Sequence, residues 1–383
     1  MFRRMILALC LVALVSSSAV FAATTSRLTG EVFDNDGLAM PGVTVQISSD
    51  KLIGGPQIAI ADGEGRFTFN LLPVGMYTVE ATLVGFKPAS GQVQVTLDRT
   101  AQIIFNMVPE QFGGEIEVSA QVPVVDTAQV NTSVNFDNEY LQKAAVGASN
   151  RDYLAMMGQA AGVQIGSANP SVFGSSTSDN SYLIDGLNTT DPATGTFGTN
   201  FNFDAIQQMN FQTGGFEAEF GQATGGIVNL VTKSGGNEFS GSFDIRYRDQ
   251  NMTENGDHFN KDEQDSLYRS LSGTLGGPIL RDKLWFFASL ETVDTSRPNQ
   301  DVDFPREFDG WNYIGKLTWQ IADSHRAVLK YSGAPADVTL WSDVFTDISA
   351  RGNQYQTSAI WQAELNSVLS ESVLLNASIG LFS

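Results

Sequence analysis

The chain has very little of what builds covalent or metal-bound sites. Its 383 residues include a single cysteine, Cys10, and two histidines, His258 and His325. Because Cys10 lies in an N-terminal segment that we expect to be removed, the mature chain is predicted to hold neither a disulfide nor a thiolate metal site. A zinc site needs clustered His and carboxylate ligands, and neither histidine begins an H-x-x-E or H-E-x-x-H motif. We therefore expect no metal and no other cofactor.

Basic residues are also scarce. The 22 lysines and arginines face 42 aspartates and glutamates, which gives a formal net charge of −20. Nucleic-acid binding requires a basic surface that meets the phosphates, so this balance argues against a nucleic-acid partner. The 37 glycines favour turn-rich β structure over a helical bundle.

Long apolar runs are lacking outside the N-terminus. Two arginines precede an apolar stretch at 5–15, and small residues follow it up to Ala22. This pattern predicts a secretory signal peptide over residues 1–22, cleaved after Ala22. The apolar stretch is too short for a membrane anchor, which needs about 18 or more consecutive apolar residues.

The sequence carries no signature of an enzyme. A G-x-S-x-G nucleophile elbow is absent. The stretch GGIVNLVTKSGG at 225–236 raises three alternatives, namely a phosphate cradle, a hairpin or part of a larger assembly. A phosphate-binding P-loop requires glycine immediately before lysine, whereas Thr232 precedes Lys233. We predict that the protein is not an enzyme.

Residues 27–109 are predicted to form a small β-sandwich. Turns rich in Gly and Asp separate six β-favouring runs, which span 28–33, 43–48, 66–71, 77–83, 92–97 and 102–107. This part of the chain resembles the carboxypeptidase regulatory-like domain, which is a transthyretin-like β-sandwich. The resemblance lies in the segment GEVFDNDGLAMPGVTVQI and in the following ADGEGRFTFNLLPVGMYTVEATLVGF. The acidic turns at 34–36 and 62–64 lack the spacing of a calcium loop, so we interpret them as turn chemistry.

Residues 110–236 have a different character. A linker at 110–122 is followed by one modest predicted helix near 138–157, which is interrupted at Gly147, and then by short strands in loops rich in Gly, Ser, Thr and Asn. Such loops bury too little apolar surface to stand alone as a packed domain. We therefore expect another part of the protein to enclose the segment 123–236.

Residues 237–383 alternate apolar and polar side chains in seven successive runs. This period fits a secreted sandwich as well as a transmembrane barrel. The connections favour the barrel, because long and short links alternate as in outer-membrane proteins. Runs of about 9–12 residues suit tilted spanning strands, and Trp and Tyr on the apolar face suit an aromatic girdle. Bacterial single-chain barrels have an even number of strands, so we expect the chain to be the N-terminal part of a longer protein.

Two segments ahead of the barrel resemble the plug domain of TonB-dependent receptors. They are DNSYLIDGLNTTDP at 179–192 and IQQMNFQTGGFEAEFGQATGGIVNLVTKSGGNEFSGSF at 206–243. The plug motif of the family falls on Ile184, Asp185, Gly186, Phe220, Gly221, Gly225, Gly226, Asn229, Thr232 and Lys233. The chain departs from the family at 209–210, where Met-Asn replaces the Ile-Glu of many members. The segment LGGPILRDKLWFFASLE at 275–291 and the N-terminal sandwich are similar to the Oar-like branch of the family.

The resemblance implies a mainly β protein with three parts, namely a transthyretin-like sandwich, an α+β plug and the first strands of a transmembrane antiparallel barrel. A complete barrel of this family has about 22 strands and is closed by its plug. The protein would lie in the bacterial outer membrane, in contact with its lipid and with the N-terminal domain in the periplasm. Residues 233–236 would form the hinge between the plug and the first barrel strand.

The function that the resemblance implies is import of a bulky extracellular nutrient, such as a peptide, an oligosaccharide or a metal chelate. TonB of the inner-membrane complex would pull on an N-terminal box and rearrange the plug. The candidate box is the β-prone segment Glu115, Ile116, Glu117, Val118, Ser119 and Ala120, which could add a strand to a TonB sheet. An ordinary linker strand is the alternative for this segment. The alternative function is a non-transporting adhesin or signalling receptor on the same scaffold.

Overall fold

The protein is described by a computed structural model that covers most of the chain. The described residues are 25–49, 51–52, 55–97, 99–110, 117–119, 132–144, 153–165, 169–216, 223–249, 252, 266–297, 305–322, 324–339, 352–370 and 373–383. They are mainly β, which confirms the predicted fold class. Among them, no helix is long and apolar enough to cross a bilayer.

The N-terminal domain is a sandwich of two four-stranded sheets. Its strands are β1 (Thr25–Asp34), β2 (Thr44–Ser48), β3 (Gln57–Ile60), β4 (Arg66–Pro73), β5 (Gly75–Thr82), β6 (Ala89–Val95), β7 (Thr100–Met107) and β8 (Glu117–Ser119). One sheet has the order β4-β1-β7-β8 and the other β3-β2-β5-β6. The alternation of side chains gives most strands one buried face, and Tyr77, Ile103 and Phe105 are among the residues that fill the core between the sheets.

Six of these strands overlap the six runs predicted from the sequence, but β3 was missed. This edge strand leaves Ile58 and Ile60 exposed and only the small Ala59 packs against the core, so no alternation of large apolar and polar residues reveals it. The acidic turns are closed by their own side chains. Asp34 and Asp62 each accept hydrogen bonds from two backbone N–H groups of the same turn, all at 2.9 Å.

The middle part of the chain, which we call the plug, is built on a five-stranded sheet of order β13-β12-β15-β14-β9. Its strands are β9 (Thr132–Asp137), β12 (Ser181–Ile184), β13 (Leu187–Asn188), β14 (Ile206–Gly214) and β15 (Ile227–Thr232), and β10 (Val163–Gln164) and β11 (Ser171–Val172) form a separate hairpin. The helices are α1 (Asn138–Lys143) and α2 (Tyr153–Met157), with a 3-10 turn at Phe203–Ala205. Every residue of the central strand β15 is buried.

The helix predicted near 138–157, with its interruption at Gly147, is present as two short helices. Helix α1 begins after Asp137, whose carboxylate caps it by accepting a hydrogen bond from the backbone N–H of Tyr140. It ends at Lys143 because Ala144 has an extended backbone. Helix α2 then covers only one turn, and residues 145–152 lie outside the described part of the chain.

The C-terminal part is an antiparallel sheet whose seven principal strands follow chain order, and we call these strands the barrel wall. They are β16 (Ser240–Asp249), β17 (Leu267–Leu280), β18 (Leu284–Arg297), β19 (Arg306–Ala322), β20 (His325–Gly333), β23 (Ala359–Ser370) and β24 (Val373–Phe382). A hairpin of β21 (Ala336–Thr339) and β22 (Asn353–Gln356) pairs with β19. The seven strands match the seven predicted runs, and long and short connections alternate between them. The strands are 9 to 17 residues long, so some exceed the predicted length.

The two faces of the barrel wall differ sharply. Trp319, Leu329 and Trp361 point outward and keep 53%, 56% and 59% of their surface exposed. Lys316 and Lys330 point to the opposite face and are buried. This distribution is that of strands with lipid on the outside and polar contents on the inside.

The inner face of the barrel wall covers the plug. The Asn202 side chain of the plug donates to Ser289 Oγ of β18 over 2.7 Å and to Ser272 Oγ of β17 over 3.1 Å. Ile360 of β23 joins the apolar core of the plug, which includes Phe211. The wall therefore supplies the enclosure that the polar plug loops require.

The sandwich packs at the end of the barrel wall that carries the short connections. Val74 and Leu97 of the sandwich contact Val231 of the plug. A cavity of about 380 Å³ lies between the three parts, and its lining includes Val74, Gly235 and Arg326. Since Arg326 follows the short turn between β19 and β20, the sandwich and the short turns share one end of the molecule.

Candidate functional site: the contact between plug and barrel wall

The Ile-Asp-Gly part of the plug motif forms the tip of a tight hairpin. Strands β12 and β13 are joined by two residues, Asp185 and Gly186, because Ile184 pairs directly with Leu187. Asp185 has a φ of 48° and Gly186 a φ of 78°. A two-residue hairpin of type I′ needs positive φ at both positions, which Asp-Gly accommodates well. The turn presents the Asp185 carboxylate to the inner face of the barrel wall.

The Asp185 carboxylate is bound from both the plug and the barrel wall. Its Oδ2 accepts hydrogen bonds from Lys330 Nζ and Thr232 Oγ1, each at 2.7 Å, and its Oδ1 accepts one from the Thr232 backbone N–H at 2.8 Å. Lys316 Nζ lies 3.9 Å from Oδ2 and donates to Thr232 Oγ1 over 2.9 Å. Gln362 Nε2 donates to the Asp185 carbonyl over 2.7 Å. We call these five residues the Asp185 cluster.

Every member of the Asp185 cluster is buried, so the electrostatics are strong. Burial by itself raises the pKa of Asp185, but the two lysines and the hydrogen bonds from Lys330 and Thr232 outweigh burial and hold that pKa well below its usual range. Asp185 is therefore ionised at neutral pH. Removing one partner of a buried ion pair costs about 3–5 kcal/mol, because the other charge is left uncompensated. The cluster thus fixes the hairpin tip against the wall.

Three further residues of the predicted motif surround this tip. Ile184 belongs to the apolar core of the plug. Asn229 is buried, and its Oδ1 accepts a long hydrogen bond of 3.4 Å from the Gly186 N–H. The backbone N–H of Lys233 donates to the Ala205 carbonyl over 2.8 Å, which fixes the end of β15 beside the 3-10 turn.

The glycine pair of the motif lies elsewhere. Gly225 and Gly226 precede β15 at the end opposite to Thr232, where the Gly226 N–H donates to Asn180 Oδ1 over 2.7 Å. They therefore stabilise the start of the strand and take no part in the Asp185 cluster. Phe220 and Gly221 lie outside the described residues.

The join between plug and barrel wall is anchored on the short turn between β17 and β18. Asn237 Oδ1 accepts hydrogen bonds from the Asp282 N–H and from Trp285 Nε1, each at 2.9 Å. Gly235 passes so close to the wall that an added Cβ would collide with the Phe286 carbonyl oxygen. The segment 233–239 is thus held in place on the wall, and its role as a hinge stays a prediction.

The candidate TonB box is partly described. Glu117, Val118 and Ser119 form β8, which pairs antiparallel with β7 at the edge of the sandwich. Glu115, Ile116 and Ala120 lie outside the described residues. The three described residues are therefore extended, as a strand donor must be, and their partner is β7 of the sandwich.

A second cavity lies at the end of the barrel wall that carries the long connections, and we call it the outer cavity. It has a volume of about 570 Å³ and separates the plug loop around 191–201 from the wall. Arg297, Arg306 and Glu291 line its wall side, and Phe197 lines its plug side. Within the described ranges, no group of three or more His, Cys, Asp and Glu side chains is placed to hold a metal ion.

Sequence reasoning missed the two lysines of the Asp185 cluster. Both fall on the polar face of the predicted strands, but neither was singled out. A signal was available, since a lysine in the middle of a spanning strand and facing inward needs a buried partner. The sequence could not identify the buried partner, because Asp185 lies 145 positions away from Lys330.

Comparisons with known proteins match the N-terminal sandwich and the first part of the barrel wall. The carboxypeptidase regulatory-like domain family matches residues 27–108, and the outer membrane beta barrel domain family matches residues 231–305. Over 366 aligned residues the chain is 29% identical to the TonB-dependent transporter Oar of Myxococcus xanthus. These similarities support a TonB-dependent receptor. The alignment covers 84% of this receptor and 34% of the relative, so the chain spans about a third of the length of that protein.

Solved structures agree on the fold of the receptor. The ferric enterobactin receptor of Pseudomonas aeruginosa has a TM-score of 0.53 at 15% identity, over 67% of this chain and 41% of that one. The siderophore receptor PirA of Acinetobacter baumannii has a TM-score of 0.54 at 17% identity, over 65% of this chain and 39% of that one. These relatives are named as transporters or receptors and not as enzymes. The receptor is located in the outer membrane, as predicted.

Proposed function

We propose that this receptor imports a bulky extracellular nutrient across the outer membrane and that TonB of the inner-membrane complex drives the import. At rest the plug closes the barrel. TonB pulls on the box at 115–120, and the plug then rearranges to open a passage. The observation that carries the proposal is the Asp185 cluster. It holds the plug to the barrel wall by a few polar contacts, which a mechanical pull can break and which can form again afterwards.

The described part of the box is suited to an exchange of partners. Within the described residues, three pairs join β8 to β7. An extended segment with so little pairing can leave the sandwich and add instead to an exposed sheet edge of TonB by β-augmentation.

The order of strands in the plug gives the pull a direction. The chain leads from the box into β9, the edge strand of the plug sheet. Strands β14 and β15 separate β9 from the hairpin that carries Asp185. A pull from the box therefore meets the edge strand first and reaches the Asp185 cluster last, so the plug is peeled strand by strand.

The orientation of the receptor in the membrane follows from the lengths of the connections between the barrel strands. Outer-membrane barrels have short turns on the periplasmic side and long loops outside. The sandwich lies at the end with the short turns, next to the cavity that includes Val74 and Arg326. We place the sandwich in the periplasm and the outer cavity on the extracellular side.

The import proposal is tested by uptake into cells that produce the receptor. The probes are an isotope-labelled peptide mixture, an oligosaccharide mixture and a ferric chelate. We expect uptake of one probe to stop when a protonophore collapses the proton-motive force and when residues 115–120 are deleted, while binding to the cell surface persists.

A matched control for the deletion replaces residues 123–128 with a Gly-Ser segment of equal length, which keeps the box and should keep uptake. Uptake that survives the deletion of 115–120 contradicts the assignment of the box. Surface binding of a probe without any energy-dependent uptake favours the adhesin or signalling function instead.

A further inference from the structure

A ring of hydrogen bonds joins the sandwich to the plug. The turn between β6 and β7 carries Leu97, whose backbone N–H donates to Gln208 Oε1 and whose carbonyl accepts from Asn135 Nδ2, each over 3.4 Å. Gln208 Nε2 donates in turn to Asn135 Oδ1 over 3.1 Å, which closes the ring. Asn135 lies on β9 and Gln208 on β14, so both amides belong to the plug. We call this ring the Leu97 clasp.

Two further contacts extend the clasp along β9. Arg99 Nη2 donates to the Ser133 carbonyl and Gln94 Nε2 donates to Asp137 Oδ2, each over 3.2 Å. Ser133, Asn135 and Asp137 are alternate residues of β9, so the sandwich follows this strand along most of its length. Strand β9 is the edge strand of the plug sheet. It is therefore held by β14 and by the sandwich together.

The apolar part of this contact is small and separate from either core. The Leu97 side chain is fully buried against Val74 and Val231, and these three residues form a cluster of their own. None of them belongs to the apolar core of the sandwich or to the main apolar core of the plug. A contact of this size can break while both domains stay folded, so the sandwich can detach as a unit.

The docked sandwich also covers the cavity of about 380 Å³ that lies beside the Asp185 cluster. All five members of the cluster line this cavity, and the sandwich contributes Ser49, Lys51, Leu52, Pro73 and Val74 to its lining. The sandwich thus lies between the cluster and the end of the barrel wall that carries the short turns. Its docked position stands in the way of the plug on that side.

The clasp resists the first step of peeling. A pull from the box at 115–120 reaches β9 before any other strand of the plug sheet. Asn135 shows why this step has two costs, because it binds the Leu97 carbonyl of the sandwich and its Oδ1 accepts a hydrogen bond from Asn210 of β14 at 2.9 Å. Strand β9 must therefore separate from β14 and from the sandwich before the pull can act on the rest of the plug.

We propose that the sandwich is a brake on the plug. Docked on β9 through the Leu97 clasp, it raises the force at which the plug begins to open, so that weak tension on the box leaves the plug closed. This inference rests on the proposed pulling by TonB and assigns a regulatory role to the sandwich.

The test applies the pulling force directly to the purified receptor. The receptor is held by a C-terminal tag, and a constant force acts through a DNA handle on a cysteine introduced by Ser119→Cys. Because Cys10 lies in the predicted signal peptide, this thiol is unique in the mature chain. The measured quantity is the lifetime of the closed plug under force.

Two variants weaken the contact to different degrees. Leu97→Asp places a charge in the buried contact and should shorten the lifetime about tenfold or more. The double substitution Arg99→Ala with Gln94→Ala leaves Leu97 in place and should shorten the lifetime by roughly two- to tenfold for each hydrogen bond lost. The matched control is Ile58→Asp, which introduces the same charge at an exposed position of the sandwich.

Hydrogen exchange in the sandwich core verifies that the variants fold. The proposal is overturned if the lifetimes of both weakened variants stay within about twofold of the wild type, or if Ile58→Asp shortens the lifetime as much as they do. Since the instrument supplies the force, the measurement requires neither TonB nor a substrate. Failure here therefore leaves the import test unaffected.

Discussion

Replacing Asp185 with asparagine removes the negative charge of the Asp185 cluster while it preserves the shape of the hairpin tip. Asparagine tolerates positive φ about as well as aspartate does, so the turn can form. The variant leaves Lys316 and Lys330 buried without the carboxylate that now binds them. Loss of one partner of a buried ion pair costs about 3–5 kcal/mol. We expect the closed position of the plug to lose about this much stability relative to its displaced position.

Amide hydrogen exchange measures this loss directly. Each 1.4 kcal/mol is about a factor of ten in an equilibrium constant, so 3–5 kcal/mol raises the population of the displaced plug roughly 100- to 4,000-fold. The backbone N–H groups of β12 and β15 are protected by pairing within the plug sheet. Their exchange in the purified receptor, followed by mass spectrometry, should accelerate by up to this factor, whereas exchange in the sandwich core should not change.

The control for this prediction is an exposed ion pair of the plug. Glu139 binds Lys143 over 2.6 Å on helix α1, but both side chains are about three-quarters exposed. Such pairs contribute only about 0.3–0.5 kcal/mol, so Glu139→Gln should change exchange in β15 by less than about threefold. Exchange in Asp185→Asn that stays within threefold of the wild type would show that the buried charges do not hold the plug, and the reasoning would be refuted.

Three other predictions follow from the same structure. The pKa of Asp185 is lowered in the folded protein, so its carboxylate contributes stability that is complete above about pH 4, the usual aspartate value, and is lost as the pH falls below it. The plug should therefore unfold at a lower urea concentration at about pH 3 than at about pH 5. The Asp185→Asn variant should lack this difference. Leu290 points outward in the middle of β18, so Leu290→Arg should destabilise the barrel by about 2–4 kcal/mol. This variant should lower the temperature of the gel-mobility transition, and the control Leu290→Val should leave that temperature unchanged. Phe105 is fully buried in the sandwich, so Phe105→Ala should lower the free energy of unfolding of the sandwich by about 3–5 kcal/mol and speed its proteolysis. Val84→Ala, at an exposed turn, should leave the rate of proteolysis unchanged.

The parts of the fold that could be predicted are those in which one face of a strand is buried. In β19, for example, inward-facing Asn312, Lys316 and Thr318 alternate with outward-facing Leu317 and Trp319, and this period is visible without any knowledge of the partner strands. The sandwich strands show the same period, which is why six of them were found. The length of β19 was underestimated because its outer end pairs with β21, which lies beyond the next strand in the chain.

The strands of the plug could not be predicted from such a pattern, because β12, β14 and β15 are buried on both faces and yet carry polar side chains. Gln208, Asn210 and Gln212 are all buried in β14. Their stability depends on partners far along the chain, such as Asn135 Oδ1, which accepts hydrogen bonds from Asn210 at 2.9 Å and from Gln208 at 3.1 Å. A local pattern contains no information on such partners. The motif residues were recognisable only through resemblance to a family.

Under the proposed import function, the plug must be stable in its closed position and yet able to open, and the distribution of its contacts with the barrel wall is consistent with both requirements. Much of the interface consists of separate hydrogen bonds, such as those from Asn202 to Ser272 and Ser289, and water can replace these one at a time as the plug moves. An apolar interface would oppose the same movement with about 25 cal/mol for every Å² exposed. The Asp185 cluster is different, because a buried charge cannot be released without a large cost. Substitutions at Asp185 should therefore alter opening more than substitutions at positions such as Asn202, which make only neutral hydrogen bonds to the wall.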